Sequence, residues 1–168
     1  MAQITFQFDR EYREKVSKED RPNSWIDIAI SVNDTYLYGS NEEGVTGSAC
    51  LAVLDFLESV EPVLDSTQYI IELGFGPTWL ALYPQDDHTV EVAKRITLKE
   101  AKERADLREV ETARTVTEQA WAEAVLDAAH TFHDTVVDLN PSLEEQKVMQ
   151  QIRTEIDRVE QLVEEMSE

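Results

Sequence analysis

Apolar and polar residues alternate in two stretches near the start of the chain. The apolar positions are Ile4, Phe6 and Phe8 in the first stretch and Ile26, Ile28, Ile30 and Val32 in the second. A period of two predicts β-strands that bury one face. The polar residues between them, 10–24, predict a connector. Asn33-Asp34 predicts a tight turn into a third strand at 36–38, because both residue types tolerate positive φ.

The pattern then changes to a loop, a helix and a second group of strands. Residues 39–47 contain three of the five glycines and predict a loop. Ser48 precedes a helical pattern that ends near Leu64, and Pro62 disturbs its last turn. Three strands follow, and their short connections at 74–77 and 84–87 require antiparallel neighbours. The pattern places these strands at residues 68–73, 78–83 and 88–95.

From Thr97 onward the pattern is helical. Thr97 with Glu100 and Thr115 with Glu118 are capping-box signatures. Residues 98–138 therefore predict one long helix, or two helices with a break near residue 115. The segment Asn140-Pro141-Ser142 ends this region and begins a final helix with proline at its first position.

These elements predict an α+β fold. The expected architecture is an antiparallel sheet of about six strands in the order βββ-α-βββ, followed by a helical C-terminal third. We expect residues 1–168 to form a single domain. Residues 1–96 would hold the sheet and one helix, and residues 97–168 would hold two or three helices.

The final helix carries the strongest candidate for an interaction surface. Its apolar residues are spaced like a heptad seam, which packs on another helix. They are Met149, Ile152, Ile156, Val159, Val163 and Met166. The neighbouring helix can belong to residues 98–138 of the same chain or to a second copy, and the sequence leaves both open. In a parallel pair Glu155 would face Glu160, which argues against that arrangement, whereas an antiparallel mate would bring Arg153 near Glu160.

The net charge of −20 narrows the range of partners. Lys and Arg are few and not clustered, so we expect no direct binding to nucleic-acid phosphates and no adhesion to an anionic membrane. Sparse lysine, abundant carboxylate and many small residues resemble the composition of proteins from salt-accumulating archaea. An acidic mimic of nucleic acid is the alternative. Residues 25–100 and residues 101–168 each have a net charge of −10 without a dense acidic run, which favours salt adaptation.

Two groups of residues carry candidate chemistry, although neither matches an enzyme motif. His130 and Asp134 lie on one predicted helix face with three further acids, a spacing at which a metal could bind. Asp86-Asp87-His88 places two carboxylates beside an imidazole, as in acid-base catalysis, but also suits a turn. Cys50 lies in an apolar pattern, which indicates a buried thiol. We expect no catalytic residue, no metal and no cofactor.

Residues 1–96 resemble small acidic α+β proteins of the polymorphic-toxin immunity families. The resemblance rests on Trp25-Ile-Asp-Ile-Ala-Ile-Ser-Val-Asn-Asp, on Glu43-Gly-Val-Thr-Gly and on the strands that end in Asp87-His-Thr-Val. It implies a protein that binds a partner without catalysis. The chain also has no apolar run long enough for a membrane span and no secretion-signal pattern at its start. We therefore expect a non-catalytic interaction protein of a salt-adapted cytoplasm, with a protein partner or a second copy of itself.

The charge generates a prediction about salt. Like charges spread over the whole surface repel each other, and salt shortens the range of this repulsion from about 8 Å at physiological ionic strength to about 3 Å at 1 M. The melting temperature should therefore rise with the concentration of KCl. Circular dichroism melts over a KCl series measure this rise, and a melting temperature independent of salt would contradict it.

Overall fold

The expected α+β architecture with antiparallel sheets and a helical C-terminal region is present in a computed structural model. The structure describes residues 1–40, 44–74 and 77–167. Part of the predicted loop 39–47 and the centre of the predicted turn 74–77 lie outside the described residues.

The first sheet is built around a central strand. Strand β2 (Trp25–Val32) pairs with β1 (Ala2–Gln7) on one side. On its other side it pairs with β3 (Thr35–Tyr38) near its end and with β4 (Val45–Ser48) near its start. All of these pairings are antiparallel. The predicted alternation directs the isoleucines of β2 to the buried face.

The second sheet is an antiparallel meander of four strands in chain order. They are β5 (Tyr69–Glu72), β6 (Trp79–Pro84), β7 (Thr89–Arg95) and β8 (Thr112–Thr117). The first three correspond to the predicted strands.

Helices fill the space beside the two sheets. They are α1 (Arg10–Glu19), α2 (Ala49–Leu64), α3 (Leu98–Glu103), α4 (Glu118–Leu139) and α5 (Lys147–Met166). Helices α2, α4 and α5 pack against one another, α4 also packs on β1, and α2 packs on β5. The main apolar core draws on both sheets and on these three helices. Among the described residues, no helix is long and apolar enough to cross a membrane.

The predicted strand count and order were wrong, because β4 begins in a predicted loop and β8 lies in a predicted helical stretch. The described residues form eight strands in two sheets. Residues 10–24 contain α1, which Asp9 caps by accepting a hydrogen bond from the backbone N–H of Tyr12 at 2.8 Å. Tyr12 and Val16 are its only buried residues, too few to show in the polar pattern. The predicted loop 39–47 contains most of β4, a short strand that pairs with β2.

The predicted helical stretch 98–138 is interrupted by a strand. Thr97 caps α3 as expected, but α3 ends at Glu103 and β8 follows it. Helix α4 is capped by Thr117, whereas Thr115 lies within β8. The final helix also begins later than predicted, because Pro141 opens a 3₁₀ turn that precedes α5.

A buried ion pair fixes the segment between β7 and β8. Arg95 Nε donates to Glu111 Oε2 at 3.1 Å, and both side chains are almost fully buried. The backbone N–H groups of Ile96 and Arg108 also donate to Glu111, at 2.9 and 2.7 Å. Burial opposes ionisation of Glu111, but these two hydrogen bonds and the charge of Arg95 lower its pKa overall. The carboxylate therefore holds both ends of this segment.

Removing this charge should strongly destabilise the fold. We expect Glu111→Gln to cost about 3–5 kcal/mol of unfolding free energy, because the variant leaves a buried guanidinium uncompensated. The exposed Glu109→Gln is the matched control and should stay within about 0.5 kcal/mol of wild type. Urea unfolding at fixed salt measures both. Equal stability of the two variants would show that the ion pair has no such role.

Candidate functional site

The heptad seam of α5 lies mainly inside the protein. Met149, Ile152, Ile156 and Val159 are fully buried, and α5 packs on both α2 and α4. Val163 is half-buried, and Met166 is exposed over 37% of its surface. Of the two arrangements that the sequence left open, the described chain shows packing within the same chain. The four buried residues present no free surface to a second copy.

Two polar contacts link α5 to its neighbouring helices. His130 Nε2 lies 2.6 Å from Glu160 Oε1, which links α4 to α5. Arg158 donates to Glu61 Oε2 at 2.7 Å, which links α5 to α2. Helix α5 thus packs on α4 and α2 of its own chain, and Arg153 pairs with Asp157 of α5 and not with Glu160.

The candidate metal-binding face of α4 points mostly to solvent. Asp134 is exposed, and His130 contacts Glu160 instead of the acids of its own helix. His133 is buried, with Nδ1 lying 3.6 Å from Asp134 Oδ1. Within the described ranges, no group of three or more His, Cys, Asp or Glu side chains is placed to hold a metal ion.

Asp86-Asp87-His88 forms the turn between β6 and β7. His88 has a positive φ of 61° and an exposed side chain, whose Nδ1 lies 3.7 Å from Glu118 Oε2. The hydroxyl of Thr89 donates to Asp87, and its oxygen also lies 2.8 Å from Gln85 Oε1. These contacts account for the cluster as turn geometry. Cys50 is buried as expected, and burial raises the pKa of its thiol to about 12, which disfavours the nucleophilic thiolate.

The most distinctive surface feature is an apolar patch that the sequence analysis did not single out. Trp25 and Leu51 are exposed over 57% and 56% of their surfaces, and both line one shallow pocket of about 320 Å³. We call this pocket and its rim the Trp25–Leu51 patch. Its lining residues are Trp25, Ser48, Leu51, Ala52, Asp55, Glu72, Leu73 and Gly74.

The loop before β2 brings the two apolar residues together. Ser48 occupies the N-cap position of α2 as predicted, but its side chain makes no capping hydrogen bond. Asn23 supplies the cap, since its Oδ1 accepts from the backbone N–H groups of Cys50 and Leu51 at 3.0 and 3.4 Å. This contact holds the residues before Trp25 against the start of α2. The patch is therefore anchored on a strand and a helix.

A close approach of the two sheets brings the acidic end of β5 to the same place. A Cβ atom on Gly47 would overlap the carbonyl oxygen of Leu73, and one on Gly74 would overlap the carbonyl oxygen of Thr46. Only glycine permits this backbone contact between β4 and the end of β5. As a result, Glu72 lies on the rim of the patch.

The acids of the patch repel one another. Asp55 is half-buried, and its pKa is raised to about 6 by burial and by the nearby charges of Glu58 and Glu72. The pKa of Tyr69 is raised to about 12 by burial and by the charges of Asp55 and Glu58. Where the chain is described, the carboxylates of Asp55, Glu58 and Glu72 form no ion pair with Lys or Arg. The patch therefore combines apolar surface with uncompensated negative charge.

One signal in the sequence points to this patch. Trp25 falls in the polar phase of β2, together with Asp27 and Ser31, so the alternation itself predicts that this large aromatic side chain is exposed. Leu51 is likewise an exposed position of α2, between the buried residues Cys50 and Ala52. What the pattern does not reveal is that these two positions are neighbours, because Asn23 and Gly47 act through tertiary contacts.

Comparisons with known proteins identify no relative. No protein-family model, curated protein or solved structure matches the chain. The fold alone defines the chain as an α+β protein with two antiparallel sheets.

Asp55 should make stability depend on pH. Its pKa in the folded state, about 6, lies above the unfolded value of about 3.9, so the folded state binds the extra proton. The loss of folding stability caused by the charged carboxylate of Asp55 is therefore absent below about pH 4 and complete above about pH 6. We expect Asp55→Asn to stabilise the protein by about 1 kcal/mol at pH 7.5, after allowance for solvent screening, and to have no effect at pH 4.

Chemical denaturation at both pH values, in constant salt, measures this effect. Asp127→Asn, which neutralises an exposed acid on α4, is the matched control and should change stability little at either pH. A stabilisation of Asp55→Asn that persists unchanged at pH 4 would show that the carboxylate charge is not its cause.

Proposed function

We propose that this chain is a non-catalytic protein that binds another protein through the Trp25–Leu51 patch, in a salt-adapted cytoplasm. The observation that carries the proposal is the pairing of two large apolar side chains, each more than half exposed, in one pocket. Tryptophan is the residue type most enriched among those that dominate binding energy in interfaces. A partner side chain that filled the pocket would remove both from water.

The rigidity of the patch supports binding. Asn23 fixes the start of α2, and Trp25 is held in β2 by its pairing with Ser48 of β4. A surface that is already ordered loses little conformational entropy when a partner docks. The resemblance of residues 1–96 to immunity-type proteins, which bind a partner without catalysis, agrees with this role.

The proposal moves the interaction surface away from the C-terminal helix. Self-association through the α5 seam would require Ile152 and Ile156 to leave the core, where both are fully buried. The Trp25–Leu51 patch is already exposed, so binding there needs no unfolding. We therefore keep the expected interaction role and assign it to a different surface.

Substitution of the patch tests the proposal. Tagged wild-type protein is used as bait in a lysate of the source organism at molar KCl, alongside Trp25→Ala/Leu51→Ala. The matched control is Leu107→Ala/Val110→Ala, which removes two exposed apolar side chains from the segment between α3 and β8. We expect one protein to be retained by wild type and by the control, and to be reduced about tenfold or more by the patch variant, since each lost anchor costs at least about 1 kcal/mol.

The captured protein is then purified and its affinity for all three baits is measured by isothermal titration. Circular dichroism verifies that each variant is folded under the binding conditions. Equal affinity for wild type and the patch variant would overturn the assignment of binding to Trp25 and Leu51.

A further inference from the structure

The carboxylates around the Trp25–Leu51 patch restrict what can cover it. Asp55 and Glu72 line the pocket itself, and Glu58 lies one helical turn beyond Asp55 on α2. Arg158 pairs with Glu61 and Glu155, whereas Lys15 and Arg21 line a different pocket that Trp25 also borders. In the described part of the chain Asp55 and Glu72 form no ion pair with Lys or Arg, so an occupant of the pocket meets two carboxylates that are free to pair with it.

A neutral occupant would be penalised. An apolar partner that covered Trp25 and Leu51 would also withdraw Asp55 and Glu72 from water without pairing them. Burying an unpaired carboxylate is strongly unfavourable, which would cancel much of the gain from the apolar contact.

A second copy of the chain would be penalised for a related reason. In a two-fold contact centred on the patch, Asp55 and Glu72 of one copy would approach those of the other. Like charges brought together in this way are strongly unfavourable. The total charge of −20 on each copy adds to this repulsion.

A cationic side chain next to an apolar one fits both parts of the pocket. Arginine suits it best, because its guanidinium can bind a carboxylate with two hydrogen bonds and can stack on an indole ring. Its charge would also relieve the mutual repulsion of Asp55, Glu58 and Glu72. In molar salt only such direct contacts persist, because charges more than about 3 Å apart are screened.

We propose that the occupant of the Trp25–Leu51 patch is a segment of a basic partner protein, which places an arginine or lysine against Asp55 and Glu72 and an adjacent apolar side chain against Trp25 and Leu51. This inference rests on the proposed function and specifies the chemistry of the partner.

A synthetic peptide of alternating arginine and leucine serves as the probe. Its neutral counterpart carries citrulline, which keeps the size of arginine without its charge. Binding to wild type is compared with binding to Asp55→Asn/Glu58→Gln/Glu72→Gln, the patch triple variant. The matched control is Glu123→Gln/Asp127→Asn/Asp138→Asn, which removes the same number of exposed acids from the solvent face of α4.

Isothermal titration at one KCl concentration measures the affinities. We expect the patch triple variant to bind the arginine peptide about tenfold or more weakly than wild type, and the α4 control to bind within about twofold of wild type. The citrulline peptide should bind wild type and the patch triple variant alike. Equal weakening by both triple variants would show diffuse attraction to an acidic surface and would overturn the inference.

The captured protein distinguishes this inference from the proposed function. A partner lost by Trp25→Ala/Leu51→Ala but bound with unchanged affinity by the patch triple variant would leave protein binding in place and refute the cationic contact. A partner lost by both, and retained by the α4 control, supports the two together. A partner lost by neither variant would refute both.

Discussion

Helix α2 is buried on every side except one, and the rest of the structure is arranged around it. Strands of both sheets and the helices α4 and α5 pack against it. Its one buried hydroxyl, Ser59, accepts a hydrogen bond from the indole of Trp121 at 3.1 Å and donates to the carbonyl oxygen of Phe56 at 2.6 Å. A helix so enclosed leaves a single stripe for solvent. That stripe begins at Leu51 and continues through Asp55 and Glu58, so the constraint that builds the core also creates the patch.

The position of α5 follows from the same constraint. The apolar surface of α2 is buried by strands of both sheets, by α4 and by the seam of α5. The seam has the spacing of a coiled coil because it packs along two helices, α2 and α4, that lie beside each other. Its polar contacts, from Arg158 to Glu61 and from Glu160 to His130, lie at the margins of this interface. The heptad pattern is therefore a feature of the core of one chain.

Much of the local structure is predictable because it is encoded by short-range periodicity. The alternation in β2, the apolar run of α2 and the cap at Thr97 all correspond to elements of the structure. The predictions of secondary structure fail where tertiary contacts determine the conformation of a segment. Helix α1 contributes only two buried side chains, and β4 is a short segment stabilised by pairing with β2. Strand β8 adopts extended structure because it completes the edge of the second sheet, although its sequence also suited a helix start.

The candidate site was harder to predict than the fold, and the reason is physical. Exposure of Trp25 is suggested by its phase in β2, but its proximity to Leu51 depends on a cap supplied by Asn23 from outside the helix. The proximity of Glu72 depends on the glycines that let the two sheets touch. Contacts between residues that are distant in the chain do not appear in the hydrophobic periodicity of the sequence, so a site built by them is not predicted from it.

The charge of the patch differs in kind from the charge of the surrounding surface. Several acids elsewhere pair with Lys or Arg, as Glu14, Glu19 and Glu100 do. Asp55 is instead half-buried beside two other carboxylates and keeps a raised pKa. Burial and the neighbouring charges of Glu58 and Glu72 both oppose its ionisation. The proposed binding role would account for a charge at this position, because functional sites commonly give up stability for their activity.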